Sequence, residues 1–142
     1  MHTLYMIVED MAIGIAVVLM FFIMWEIKEF YDRGRQMTYI DDGIFISDWT
    51  SAVDRNLLLD NGIKHIICLN ERKKSCKDKA MYAELGITHS HFHAVDADDF
   101  PIHLYFKTCN DLLESCKHNT LVHCTAGKSR SVAFVAAYLM KR

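Results

Sequence analysis

The chain has 142 residues, 51% of them hydrophobic and 24% charged, with a formal net charge of −2 at pH 7. That is room for one small globular domain with a sizeable apolar core, and the charge balance argues against nucleic acid as a partner. Five cysteines (Cys68, Cys76, Cys109, Cys116, Cys124) include no Cys-x2-Cys pair, and an odd count suits a reducing compartment rather than a disulfide framework.

Met11 to Trp25 runs for 15 residues without a charged or strongly polar group. It is hydrophobic all round, which a helix on the surface of a globular domain is not. Fifteen helical residues span about 22 Å, short of the roughly 30 Å hydrocarbon core of a bilayer. Extending the segment to residues 4–25 makes up the length but encloses Glu9 and Asp10. Residues 4–25 therefore read as a transmembrane anchor, with a buried soluble helix or a cleaved or non-native extension as the alternatives. Residues 1–10 carry no Lys or Arg, whereas Lys28, Arg33 and Arg35 follow the apolar run. The positive-inside rule then places the remainder in the cytosol. Residues 1–36 form the anchor and its juxtamembrane link, and residues 37–142 form the folded domain.

Tyr39 to Ser47 places Asp42-Gly43 between two short apolar-alternating segments, a hairpin signal. Thr50 or Ser51 caps a helix running through Leu59 and closed by Asn61-Gly62. Ile63 to Leu69 reads as a buried strand. Glu71 to Lys79 holds five cations against two acids and reads as a solvated loop, or else as a basic rim for an anionic substrate or membrane surface. Cys76 within it is incidental. A short helix from Lys79 to Leu85 stops at Gly86, and Ile87 to Val95 is a strand whose His89, His91 and His93 share one face. Three such histidines are a potential zinc set, but no cysteine or carboxylate stands at ligand spacing, so a polar strand face is preferred to a metal site. Pro101 suits the first turn of a helix whose apolar positions, from Ile102 to Cys116, recur at helical spacing. Asp96, Asp98 and Asp99 precede it as ordinary caps or as candidate proton donors.

The last stretch carries the chemistry. Leu121-Val122 leads into His123-Cys124-Thr125-Ala126-Gly127-Lys128-Ser129-Arg130-Ser131, where a strand ends and a helix begins. Backbone N–H groups in such a loop lack internal partners and converge on an anion, assisted by the helix dipole. The same field stabilises a thiolate at Cys124. Gly127 fits a turn with positive φ or a close backbone approach. Arg130 supplies a planar fork for two phosphoryl oxygens, and Ser131 or Ser129 can donate a hydrogen bond to the sulfur.

His-Cys-x-x-Gly-x-x-Arg-Ser, followed by Val132 to Met140 with its Ala-Tyr-Leu-Met ending, resembles the signature of the cysteine-based dual-specificity protein phosphatases. The Asp-Gly-Ile-Phe-Ile-Ser hairpin is similar to the opening of their domains. The resemblance covers about residues 39–142 and lacks the further C-terminal helices of the family. It leads to the expectation that a partner or the N-terminal helix covers the exposed face, or that the chain is marginally stable.

The expected fold is α/β, a small central sheet covered by helices on both faces with the phosphate loop at the carboxyl end of a central strand. The resemblance implies Cys124 as nucleophile and Asp96 as general acid, ahead of Asp98 and Asp99. Arg130 and the loop residues Thr125, Ala126, Gly127, Lys128 and Ser129 hold the phosphate, Ser131 eases the departure of sulfur, and His123 orients the loop. No metal or organic cofactor is implied. A chain this short has little room for the loop that deepens the cleft of tyrosine-specific relatives, so phosphoproteins carrying phosphotyrosine, phosphoserine or phosphothreonine are the expected substrates. Lys128 raises phosphoinositides as the alternative, and a membrane-bound phospho-binding module is the third reading.

Overall fold

The structure is a computed structural model that describes residues 14–26, 36–71, 76–116 and 118–142. The chain divides into two compact units, Met1–Gly34 and Arg35–Arg142.

In the first unit, residues 14–26 form helix α1. Its large apolar side chains are exposed throughout, from Ile15 to Trp25, and the Phe22 and Trp25 rings lie 6.2 Å apart. Among the described residues no helix is long and apolar enough to cross a membrane. The expected span over residues 4–25 is thus unsupported: α1 extends about 20 Å, where a bilayer core needs about 30 Å. Residues 4–13 and the link over 27–35 lie outside the described residues.

The second unit is built on a five-stranded sheet in the order β1-β2-β5-β3-β4. Strands β1 (Thr38–Asp41) and β2 (Ile44–Ser47) form the antiparallel hairpin expected of Asp42-Gly43. Both turn residues have positive φ, 50° and 77°, as a two-residue turn of the favoured hand requires. The remaining strands, β3 (His65–Asn70), β4 (Thr88–His93) and β5 (Thr120–His123), pair in parallel, β2 with β5, β5 with β3 and β3 with β4. Parallel pairing brings the carboxyl ends of β2, β3, β4 and β5 to one edge, where ligands of such sheets bind.

Alternation along the strands separates two cores. Ile44, Ile46, Ile67, Leu69 and Val122 pack with Phe134, Val135 and Tyr138 on one face, together with Cys109 and Leu113. Phe45, Ile66 and Leu121 pack with Leu58, Ile63 and Tyr82 on the other. The helices sort accordingly: α5 (Phe106–Ser115) and α6 (Arg130–Lys141) cover the first face, and α2 (Trp49–Ala52), α3 (Arg55–Asp60) and α4 (Cys76–Glu84) belong to the second. The buried Tyr82 hydroxyl donates to the Ala52 carbonyl at 2.8 Å, tying α4 to α2.

Two local expectations are corrected. The single helix expected from Thr50 to Leu59 is two, because two aspartates each start a helix. Asp48 accepts the Ser51 N–H at 2.8 Å, and Asp54 accepts those of Asn56 and Leu57 at 3.0 and 3.2 Å. Pro101 opens a 3₁₀ turn (Ile102–Tyr105) ahead of α5, closed by the Leu104 N–H on the Pro101 carbonyl at 3.1 Å. The histidines of β4 are engaged with protein groups. His91 Nε2 lies 3.0 Å from Asn70 Oδ1, His93 Nδ1 lies 3.1 Å from the Glu71 carbonyl, and the His89 ring meets that of Tyr82. No group of three potential ligands fit to hold a metal occurs among the described residues.

Candidate active site

Strand β5 is the middle of the sheet and is buried along its length, so the chain leaves it with Cys124 only 1% exposed at the floor of the loop. Thr125, Ala126, Lys128 and Ser129 rise into solvent before α6 begins. No side chain caps α6 at Ser129. Its first N–H groups are therefore left to the loop.

Around Cys124 Sγ stand the Gly127 N–H at 3.2 Å and Ser131 Oγ at 3.4 Å. Burial works against ionisation of this thiol. The Ser131 hydroxyl and the N–H groups of Ser131, Gly127 and Ala126 outweigh it and hold Cys124 below the ordinary value of 9.0. Cys109 shows the opposite balance in the same core: burial, with Cys116 nearby, pushes it up to about 12. Of the two serines read from the sequence, Ser131 is the one at the sulfur.

Gly127 has φ +69°, and a Cβ there would lie 2.7 Å from Ser47 carbonyl atoms and 2.8 Å from Asp48 N. The loop therefore rests directly on the β2–α2 connection. The Trp49 N–H donates to the Thr125 carbonyl at 3.1 Å, a second tie between them. Burial resists a charge on Asp48, but the Ser51 N–H, the Thr50 hydroxyl and the nearby His123 keep its carboxyl below the usual range. His123 is fully buried opposite Ser47, with Nδ1 3.3 Å from the Cys124 carbonyl, to which it donates.

Arg130 is 5% exposed and grips the segment that follows β4. Its Nη1 donates to the Ala94 carbonyl at 2.8 Å, and its Nη2 lies 3.3 Å from Thr125 Oγ1 and 3.2 Å from Asp96 Oδ2. Its Nε is buried with no hydrogen-bond partner among the described residues, a donor left for a ligand oxygen. Asp96 is exposed and its N–H donates to Glu71 Oε1 at 3.0 Å. Asp98 and Asp99 are also exposed, but it is Asp96 that forms the ion pair with Arg130. Lys128 is exposed in the loop.

The structure thus brings together Cys124, Gly127, Arg130, Ser131, His123 and Asp96, which come from β5, the loop that follows it, α6 and the segment after β4. It adds Ser47–Trp49 and Glu71, which the sequence reading did not single out. Gly127 signalled a close approach, but nothing local names its distant neighbour. A buried, ionisable thiol ringed by N–H donors and a half-engaged arginine fork can bind a phosphoryl group and attack it.

Residues 44–142 match the family described as "Dual specificity phosphatase, catalytic domain". Dual specificity protein phosphatase 15 of Mus musculus is 33% identical over 110 residues, covering 75% of this chain and 44% of that protein. The crystal structure of DUSP15 superposes with a TM-score of 0.67 at 32% identity, covering 75% of this chain and 66% of that one. The human tyrosine phosphatase-like serine/threonine/tyrosine-interacting protein gives a TM-score of 0.64 at 27% identity, with 75% and 74% covered. The chain spans less than half the length of the mouse relative.

Proposed function

The chain belongs to the dual specificity phosphatase catalytic-domain family, and on that premise we propose that it hydrolyses phosphate monoesters on proteins through a cysteinyl-phosphate intermediate. The observation that carries this reading is the setting of Cys124 Sγ between the Gly127 N–H and Ser131 Oγ, within a loop closed by Arg130.

In the first step the Cys124 thiolate forms an S–P bond as the P–O bond to the leaving group breaks, and Asp96 gives its proton to the departing oxygen. Loop N–H groups and the Arg130 fork, its Nε included, hold the equatorial oxygens as charge redistributes. Arg130 must release the Asp96 carboxylate for this. In the second step water attacks phosphorus, Asp96 takes a proton from it, and the Ser131 hydroxyl stabilises the thiolate that leaves. His123 holds the loop through the Cys124 carbonyl. Thr125, Ala126, Gly127, Lys128 and Ser129 line the phosphate site.

Residues 37–142 are the catalytic domain in this reading, with residues 1–36 preceding it. The exposed apolar surface of α1 supports membrane contact by residues 4–25, and Lys28, Arg33 and Arg35 after it favour the catalytic domain on the cytosolic side. Phosphotyrosine, phosphoserine and phosphothreonine proteins are the proposed substrates. The exposed cation Lys128 favours phosphoinositides as the second reading.

Hydrolysis of a small aryl phosphate and of phosphopeptides by the full chain, beside Cys124→Ser and Asp96→Ala, tests this. Turnover should vanish with Cys124→Ser and fall with Asp96→Ala, more steeply on the peptides. A folded chain without turnover would instead favour a phospho-binding module.

A further inference from the structure

The pairing of Asn70 with His93 sets the ends of β3 and β4 side by side. Glu71 is the first residue beyond β3, and Asp96 lies just beyond β4. The Asp96 N–H donates to Glu71 Oε1 at 3.0 Å. The Glu71 backbone is held in turn: its carbonyl lies 3.1 Å from His93 Nδ1, and since a carbonyl only accepts, the ring nitrogen donates. The Tyr105 hydroxyl donates to the His93 carbonyl at 3.3 Å, linking this corner to the 3₁₀ turn.

Asp96 therefore has two ties of different kinds. Its carboxylate pairs with Arg130, and its backbone N–H is taken by Glu71. The first cannot persist through the reaction, because Arg130 must turn to the phosphate and a protonated Asp96 carboxyl forms no ion pair. The second leaves the carboxyl free. Asp96 is 66% exposed, so packing contributes little to its position.

We propose that Glu71 is a positioning residue that keeps Asp96 within reach of the leaving oxygen once Arg130 has gone to the phosphate. The inference rests on the phosphatase reading above and deepens it. A displaced general acid loses part of the roughly 10²–10⁴-fold that proton transfer contributes, and that loss grows with the basicity of the leaving group.

The test uses the full chain as wild type, Glu71→Ala, Glu71→Gln and Asp96→Ala, on aryl phosphates of graded leaving-group acidity and on a phosphotyrosine peptide. Glu71→Ala should lower kcat about 10-fold on the least acidic leaving groups and progressively less on the more acidic, with KM unchanged. Glu71→Gln, whose side-chain carbonyl still accepts the N–H, should restore most of it. A loss equal across the series, no loss, or no rescue by Gln, with Asp96→Ala still showing the graded dependence, overturns the role of Glu71 alone. If Asp96→Ala itself shows no gradation, or the wild type does not turn over, the phosphatase reading fails first. Amide hydrogen exchange then decides the contact independently: the Asp96 N–H should exchange faster in Glu71→Ala and not in Glu71→Gln, and unchanged exchange in Glu71→Ala overturns the proposal.

Discussion

Arg130 and Asp96 meet at 3.2 Å across the mouth of the phosphate loop, yet one side chain is 6% exposed and the other 66%. The cation is built into the core through Ala94, whereas the anion rests on it from solvent. Such a half-exposed pair is weak, about 1 kcal/mol or less, while a phosphate dianion offers a two-pronged partner and a use for the buried Nε. Asp96→Ala should therefore tighten the binding of inorganic phosphate by up to about fivefold, since a competitor for Arg130 is gone. Calorimetric titration of both proteins measures this, and weaker binding by the variant would contradict it.

Ser131→Ala should act on both the ionisation of Cys124 and its departure. The Ser131 hydroxyl is the leading group holding the Cys124 thiol down, against burial. The thiolate is the reactive form, so activity rises with pH through the Cys124 pKa. Without the hydroxyl that rise moves to higher pH, read from the acidic limb of the profile of kcat/KM. A hydrogen bond to a charged group contributes about 1.5–3 kcal/mol, so hydrolysis of the intermediate should slow roughly 10- to 100-fold. A burst of phenol release, absent from wild type, would report that slowing.

Gly127→Ala should disable the loop and spare the fold. Its Cβ would stand 2.7 Å from Ser47 and 2.8 Å from Asp48 N, backbone atoms that cannot step aside, at φ +69°. Strain of about 1–3 kcal/mol is expected, relieved by moving the loop off the β2–α2 connection. Turnover should fall at least tenfold while circular dichroism remains that of wild type.

Asp48→Ala tests the same contact from below. Loss of this helix cap should cost about 1 kcal/mol in urea denaturation near neutral pH. Because the folded-state carboxyl lies below its ordinary value, the contribution of Asp48 is complete above that value and fades as pH falls through the lower one. The stability difference between variant and wild type should therefore shrink in acid and not in base.

The Cys124-to-Arg130 loop is legible in sequence because its geometry is local: strand, turn and helix start lie within a few residues, and each residue type answers one requirement. The Asp42-Gly43 hairpin is legible for the same reason. The surroundings of the loop are not. Ser47 and Asp48 lie far from Gly127 in sequence and reach it through the pairing of β2 with β5, which no local pattern announces. Glu71 stands at the head of a charge run that reads as solvated loop, and its link to Asp96 depends on the register of β3 with β4. The split of the helix over residues 49–60 turns on two capping aspartates competing with a favourable helical pattern. In the N-terminal run, composition indicates an apolar surface, but the helical length described does not reach a membrane span.

The most direct test is to quench the 142-residue chain in acid during turnover of an aryl phosphate and map any phosphoryl group by mass spectrometry. Any phosphoryl group trapped should sit on Cys124, at a low level in wild type and accumulating in Ser131→Ala, with none in Cys124→Ser. Turnover that persists in Cys124→Ser, or a phosphoryl group on another residue, would contradict it.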